Sequence, residues 1–155
     1  MRNLIIMRHA KAERGRGKRD FDRTLEDRGW RDADVVAAKL AAEGLVPDIV
    51  LCSAARRTRD TFAAVLPHFD TDLRAHFLER IYDAAAEDLL GLVRAAEGQR
   101  ILLIGHNPTM HELALHLAGE DAQRVGSGFP TSTAAVFSMG LAMETARLDG
   151  LVKPA

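Results

Sequence analysis

The chain has 155 residues, a length that fits one globular domain and leaves little room for a second. Hydrophobic residues make up 47% and charged residues 28% of the sequence, a composition that excludes disordered, collagen-like and coiled-coil proteins. The net charge of −1 argues against a generally basic nucleic-acid binder, although it leaves room for a local positive cleft. The single cysteine, Cys52, excludes an internal disulfide.

No apolar run approaches the roughly 20 residues that cross a bilayer, and the apolar run after Asn3 is too short for the core of a signal peptide. No internal repeat or low-complexity linker divides the chain. We therefore expect one cytoplasmic domain over residues 1–155, with no membrane segment and no bound nucleic acid, acting as a monomer.

Short apolar runs alternate with longer amphipathic segments along the chain. Residues 4–7, 49–52 and 101–104 are runs of mostly branched apolar residues bounded by polar residues or glycine, which is typical of strands buried on both faces. Residues 133–139 also have strand character, and residues 144–152 are expected to form a last, edge-like strand. This alternation predicts an α/β domain with a mostly parallel sheet and helices on both faces.

Helices are predicted between these strands. Thr24 and Asp27 have the spacing of a capping box, and the apolar residues that follow at helical spacing until Gly44 are Trp30, Ala33, Ala37, Leu40 and Ala41. Residues 57–66 and 86–97 are expected to form two further helices. Asn107 and Pro108 would begin another, whose apolar stripe before Gly119 consists of Met110, Leu113, Ala114, Leu117 and Ala118.

Basic side chains follow three of the predicted strands. Arg8 and His9 follow the first, Arg56 and Arg57 lie shortly after the second, and His106 follows the strand at 101–104. In open α/β sheets, ligands bind beyond the carboxyl ends of the strands, where helix N-termini add partial positive charge. Two histidines and two of these arginines converging on one rim of the sheet predict a pocket for a doubly charged anion, most simply a phosphoryl group.

These segments resemble the histidine phosphatase superfamily. Residues 4–10, LIIMRHA, are similar to its Arg-His motif, residues 51–61, LCSAARRTRDT, to its second motif, and residues 104–107, IGHN, to the segment with its second histidine. Within the superfamily the chain resembles the small SixA-type phosphohistidine phosphatases of bacteria at residues 22–25, 81–84 and 129–131. The resemblance implies a phosphoglycerate mutase-like fold. The sequence departs from the family pattern at Ala10, Ala54 and Asp60, and none of these changes removes a catalytic group.

The resemblance implies a role for each basic residue of the rim. His9 would be the nucleophile that becomes a transient phosphohistidine, with its second ring nitrogen held by a backbone carbonyl. Arg8 and Arg57, of the family's second motif, would hold the phosphoryl oxygens. His106, protonated beside a phosphate, would be a third positive donor. The expected mechanism needs neither a metal ion nor an organic cofactor.

The leaving group separates two possible activities. A phosphate ester needs a general acid, and Glu79 lies where phosphoglycerate mutase relatives keep theirs. Phosphohistidine has a protonatable nitrogen as its leaving group and depends less on a general acid. The short chain also leaves no room for a lid that encloses a small metabolite. We therefore expect a phosphatase that acts on phosphohistidine of a partner protein. The alternatives are a phosphomonoesterase acting on a small phosphorylated molecule with Glu79 as its acid, and an inactive module that binds phosphate or phosphoproteins.

Other polar segments have competing interpretations. Residues 11–19 hold five basic residues and one acid, and they are either a solvated mobile loop or a rim that steers an anionic substrate, with Lys18 and Arg23 as the residues to test. His111 and His116 superficially suggest a zinc motif, but their spacing of five places them on different faces of a helix. His76 lies in loop-like sequence.

Overall fold

The computed structural model describes residues 1–70 and 72–155. The strands are β1 (Arg2–Arg8), β2 (Ile49–Ser53), β3 (Arg74–Leu78), β4 (Arg100–Gly105), β5 (Ala134–Met139) and β6 (Ala146–Val152). The α-helices are α1 (Asp27–Ala42), α2 (Arg56–Val65), α3 (Glu79–Tyr82), α4 (Ala86–Ala95), α5 (Thr109–Ala118) and α6 (Ala122–Val125). A short 3₁₀ helix at Asp20–Asp22 precedes α1.

The strands form one sheet in the order β3-β2-β4-β1-β5-β6. β1, β2, β3 and β4 are parallel, whereas β5 pairs antiparallel with β1 and β6 pairs antiparallel with β5. This arrangement confirms the predicted α/β fold with a mostly parallel sheet. The edge strand β6, beside β5, was also expected from the sequence.

The central strands are buried on both faces because alternate residues point to opposite layers of helices. Leu4 and Ile6 of β1 belong to the apolar cluster that includes residues of α4 and α5. Ile5 and Met7 belong to the cluster that includes residues of α1 and α2. All four side chains are fully buried, and each such burial stabilises the fold by about 1.5–3 kcal/mol. The apolar runs of the sequence are therefore the two-sided core of the sheet.

Local details of α1 and α5 differ from the sequence prediction. Thr24 does not cap α1: its N–H donates to Glu13 Oε1, and the helix begins at Asp27 with no side-chain cap. Trp30 is 37% exposed rather than part of the buried stripe. α5 begins at Thr109, one residue later than expected, although Asn107 Oδ1 still accepts from a backbone N–H of its first turn.

The strand β3 was missed because its five residues alternate irregularly and most are exposed. His76, interpreted as part of a loop, lies within this edge strand and pairs in register with Leu51. Among the residues that the structure describes, no helix has both the length and the apolar character to cross a membrane.

Candidate active site

The carboxyl ends of β1, β2 and β4 meet at one edge of the sheet. Arg8 pairs in register with Gly105, so His9 and His106 leave adjacent strands at the same level. The His9 N–H donates to Gly105 O across 3.0 Å, which extends the pairing by one residue. Arg57 reaches the same edge of the sheet from the first turn of α2, which begins shortly after β2. The topology thus brings His9, Arg57 and His106 together.

His9 is 6% exposed, and each of its two ring nitrogens has a hydrogen-bond partner. Nδ1 lies 2.7 Å from Ala10 O, which can only accept, so Nδ1 carries the proton and Nε2 carries the lone pair. Arg57 Nε donates to this lone pair across 3.3 Å. Burial lowers the pKa of His9 to about 3 and outweighs the bond to Ala10, while the charges of His106, Arg57 and Arg8 act in the same direction as burial. His9 is therefore neutral at pH 7, with the lone pair of Nε2 on the side of Arg57.

Arg57 is buried and links the first two motifs. Its Nη1 donates to Asp20 O across 2.8 Å, and its Nη2 donates to Asp20 Oδ2 across 3.0 Å. One turn later on α2, Thr61 Oγ1 donates to Arg57 O and accepts from the Ala10 N–H across 2.9 Å. The same helix thus fixes both the arginine and the backbone turn that follows His9.

His106 faces His9 across the pocket, with 5.4 Å between the two ring centroids. Its Nε2 lies 2.8 Å from Ser53 Oγ, whereas its buried Nδ1 has no hydrogen-bond partner among the described residues. Burial, and after it the charge of Arg57, lower the pKa of His106 to about 4. The expected protonation of His106 therefore depends on a further anion beside it, because the added negative charge would raise this pKa.

Arg8 is the second guanidinium of the pocket. Its Nη1 donates to Phe129 O across 3.2 Å, and its Nε is buried without a partner among the described residues. Burial lowers the pKa of Arg8, and the nearby charge of Arg57 lowers it further. Two like charges this close are unfavourable unless an anion shares them, so the arrangement suits a multiply charged oxyanion.

Asp20 and Tyr82 lie at the mouth of this pocket, although the sequence did not single out either as a site residue. The Tyr82 O–H donates to Asp20 Oδ2, and Arg23 Nη1 donates to Asp20 Oδ1 across 2.8 Å. These two bonds and the charge of Arg57 hold the pKa of the Asp20 carboxyl well below its usual range. The family resemblance at residues 81–84 included Tyr82 without giving it a role, and no sequence signal pointed to Asp20.

The basic loop of residues 11–19 is the first part of a longer loop that an antiparallel bridge closes between residues 12 and 25. Lys18 Nζ pairs with Glu13 Oε1 at 2.6 Å, and Arg23 Nε donates to Glu13 O across 2.8 Å. Lys18 therefore bonds within the loop. The residue of this loop that contacts Arg57 is the acidic Asp20.

The family model of the histidine phosphatase superfamily (branch 1) matches residues 4–92, which include His9 and Arg57. The chain belongs to this superfamily. A relative in Mycobacterium tuberculosis, an uncharacterized protein, is 38% identical over an alignment of 138 residues that covers 84% of this chain and 85% of that protein. The His9–Arg57 pair thus lies in the part of the chain that matches the family model.

Solved structures of the superfamily share the whole fold. A crystal structure from Agrobacterium tumefaciens, provisionally assigned as phosphohistidine phosphatase SixA, has a TM-score of 0.89 and 35% identity, and the match covers 99% of this chain and 98% of that one. A similarly assigned structure from Nakamurella has a TM-score of 0.88 and 28% identity, with 99% and 96% covered. Together with the family model, these likenesses support a phosphatase with the phosphoglycerate mutase-like fold.

Two of the departures from the family pattern have simple structural settings. Ala10 is fully buried in the turn that α2 holds through Thr61. Asp60 is 7% exposed, and its Oδ1 accepts from Arg56 Nε across 2.8 Å while its Oδ2 accepts from the Leu25 N–H across 3.3 Å. Asp60 therefore ties α2 to the end of the loop that carries Asp20, a role that the sequence alone did not reveal.

Glu79, the predicted general acid, has no bond to the other predicted site residues in the described chain. It is exposed at the first position of α3, three residues before Tyr82. Within the described chain it makes no hydrogen bond or ion pair, so the structure does not bond it to His9, Arg57 or His106. The acid that does contact Arg57 is Asp20.

The alternative metal site finds no support among the described residues, which hold no group of three or more side chains suited to a metal ion. His111 Nε2 instead lies 2.9 Å from Gly126 O, where a ring N–H can donate. Cys52 is fully buried, and this burial raises the pKa of its thiol, so the side chain is an unreactive part of the core.

Proposed function

We propose that this superfamily member is a phosphohistidine phosphatase that acts on a phosphorylated partner protein through a phospho-His9 intermediate. The observation that carries the proposal is the state of His9: the Nδ1 proton is held by Ala10 O and the Nε2 lone pair lies beside Arg57. A neutral imidazole with this tautomer can attack phosphorus without first losing a proton.

In the first step, the lone pair of His9 Nε2 forms a bond to phosphorus while the bond from phosphorus to the leaving group breaks. Arg8 and Arg57 hold the phosphoryl oxygens, on which negative charge is spread in the transition state. His106 gains its proton beside this anion and becomes the third positive donor. In the second step, water attacks phosphorus, and His9 leaves as a neutral imidazole.

The choice of substrate rests on the leaving group and on the family. The imidazole of a phosphohistidine departs as a neutral ring, so its cleavage does not require a neighbouring carboxylic acid such as Glu79, which is exposed and makes no bond to the pocket in the described chain. The Agrobacterium structure assigned as SixA, at 35% identity over almost the whole chain, supports the same substrate class.

The test compares two peptides of one sequence, one phosphorylated on histidine and one on tyrosine, with the wild-type protein and His9→Ala. We expect faster hydrolysis of the phosphohistidine peptide, and a loss of about 10³-fold or more in kcat for His9→Ala. His9→Ala should still bind inorganic phosphate, since both arginines remain.

Three results would contradict this proposal in different ways. Faster hydrolysis of the ester, lost in His9→Ala and in Glu79→Gln, would identify a phosphomonoesterase with Glu79 as its acid. Phosphate binding without turnover of either peptide would identify a binding module. Undiminished turnover by His9→Ala would exclude His9 as the nucleophile.

A further inference from the structure

The carboxylate of Asp20 is an unusual neighbour for a pocket that binds phosphoryl groups. Arg8, Arg57 and the two histidines form a site for a doubly negative ligand, yet Asp20 Oδ2 bonds directly to Arg57 Nη2 at 3.0 Å. A carboxylate at the mouth repels substrates whose leaving group is anionic. It favours substrates whose leaving group presents a proton to it.

Asp20 is firmly positioned at this place. Its backbone oxygen accepts from Arg57 Nη1, and its two carboxylate oxygens accept from Arg23 Nη1 and from the Tyr82 O–H. Its side chain nevertheless remains 51% exposed, so it faces solvent on the side from which a protein substrate would approach. The charge of Asp20 also acts on His106, whose pKa it raises against the larger effects of burial and Arg57.

Aromatic rings line the same entrance. Phe21, next to Asp20, makes an edge contact with the Tyr82 ring at 5.1 Å between centroids. The Tyr82 ring in turn makes an edge contact with His106 at 5.3 Å. A planar aromatic leaving group can pack against such a wall, whereas a flexible aliphatic alcohol gains less from it.

We propose that Asp20 is a specificity-determining residue that selects N–P over O–P bonds by accepting a hydrogen bond from the leaving imidazole of the substrate. This inference rests on the proposed function. In phosphohistidine one ring nitrogen carries phosphorus and the other can carry a proton. Asp20 binds that N–H while Phe21 and Tyr82 pack against the ring.

The bond changes of the transfer step balance with Asp20 in this role. His9 Nε2 donates its lone pair to phosphorus, and the electron pair of the breaking N–P bond returns to the substrate nitrogen. The leaving imidazole thereby loses its positive charge and departs neutral, with its second nitrogen still protonated and bound to Asp20. Because the carboxylate stabilises the protonated form of the bound ring, it maintains the phosphohistidine in its labile state. An ester has no such proton to offer.

The experiment measures kcat/KM for the matched phosphohistidine and phosphotyrosine peptides with wild type, Asp20→Asn and the control Asp22→Asn. Asp22 lies in the same 3₁₀ helix and pairs with the exposed Arg19, so the control removes the same charge away from the pocket. We expect Asp20→Asn to lower the N–P to O–P ratio of kcat/KM by about 10- to 100-fold, the range for a hydrogen bond to a charged group. Asp22→Asn should keep the wild-type ratio.

An Asp20→Asn protein that keeps the wild-type ratio would overturn the inference, and so would an equal loss toward both peptides, because a structural role lowers both activities together. Failure of the proposed function is recognised separately, since wild type itself would then prefer the ester. A lowered ratio confined to Asp20→Asn supports the inference.

Discussion

Arg57 Nε donates a hydrogen bond to His9 Nε2 across 3.3 Å, so the arginine that points to the pocket also bonds to the nucleophilic atom of the proposed mechanism. The guanidinium reaches this position from the first turn of α2, and its other N–H groups extend to Asp20. One side chain thus connects the nucleophile, the phosphoryl pocket and the acidic group at its mouth.

Arg57→Lys should lower kcat/KM by about 10²- to 10³-fold, because the ammonium of lysine cannot reproduce the fork that bonds His9 and a phosphoryl oxygen together. Steady-state kinetics on the phosphohistidine peptide measure this loss. Arg56→Lys is the matched control, since Arg56 is an exposed neighbour whose guanidinium bonds Asp60 instead. Equal losses in the two variants would contradict the role assigned to Arg57.

The stability of the protein should fall with acidification below pH 6.5. The pKa values of His9 and His106 are lowered to about 3 and about 4, whereas both are near 6.5 in the unfolded chain. Below pH 6.5 the unfolded chain therefore binds more protons than the native protein, so the free energy of unfolding falls, by up to about 1.4 kcal/mol per pH unit for each histidine.

This loss continues down to about pH 4 for His106 and about pH 3 for His9. Urea unfolding between pH 7 and pH 5 measures this change in the free energy of unfolding. Ordinary carboxyl groups titrate at lower pH and therefore do not contribute to it there. His106→Asn should make the slope shallower by removing one of the two contributions. A free energy of unfolding that stays constant from pH 7 to pH 5 would contradict the burial of two neutral histidines.

Asp60→Ala should lower the free energy of unfolding by about 1–3 kcal/mol, because it leaves the buried Leu25 N–H without its acceptor. Asp60→Asn keeps an oxygen for that bond and should cost less. The control is Asp32→Ala, which removes a comparable (i, i+4) pair with Arg28 on the surface of α1 and should cost about 0.5 kcal/mol or less. Chemical denaturation of the three variants gives the comparison, and equal costs for Asp60 and Asp32 would refute the anchoring role.

The sequence predicted the parts of the fold that hydrophobic burial determines. β1, β2 and β4 were visible because both faces of these strands are covered, which leaves a continuous apolar run. β3 could not be recognised in this way, because an edge strand with exposed residues such as His76 and Phe77 has no continuous apolar run. The sequence did not predict the strand order and register that bring His9 beside His106, because the apolar pattern of a strand does not identify its neighbours in the sheet.

The contribution of Asp20 could not be predicted for a different reason. Its position depends on the path of the loop between residues 12 and 25, which hydrogen bonds within the loop determine. Such bonds follow no hydrophobic period, and the excess of basic residues in this segment drew attention to Lys18 and Arg23 instead. The same reasoning explains why Thr24 was wrongly assigned as a helix cap, since its N–H bonds to Glu13 of that loop.

The position of β1 in the sheet has a consequence for how the protein is made. Both hydrogen-bonded neighbours of β1 lie far downstream: β4 starts at Arg100 and β5 starts at Ala134. Ribosomes add about 5–20 residues per second, so the first strand waits several seconds to about half a minute for its partners. During that time residues 4–7, fully buried in the finished fold, have no sheet to join. This segment therefore lacks its sheet neighbours during most of synthesis, and the edge of the sheet that carries His9 and His106 can form only after β4 has been made.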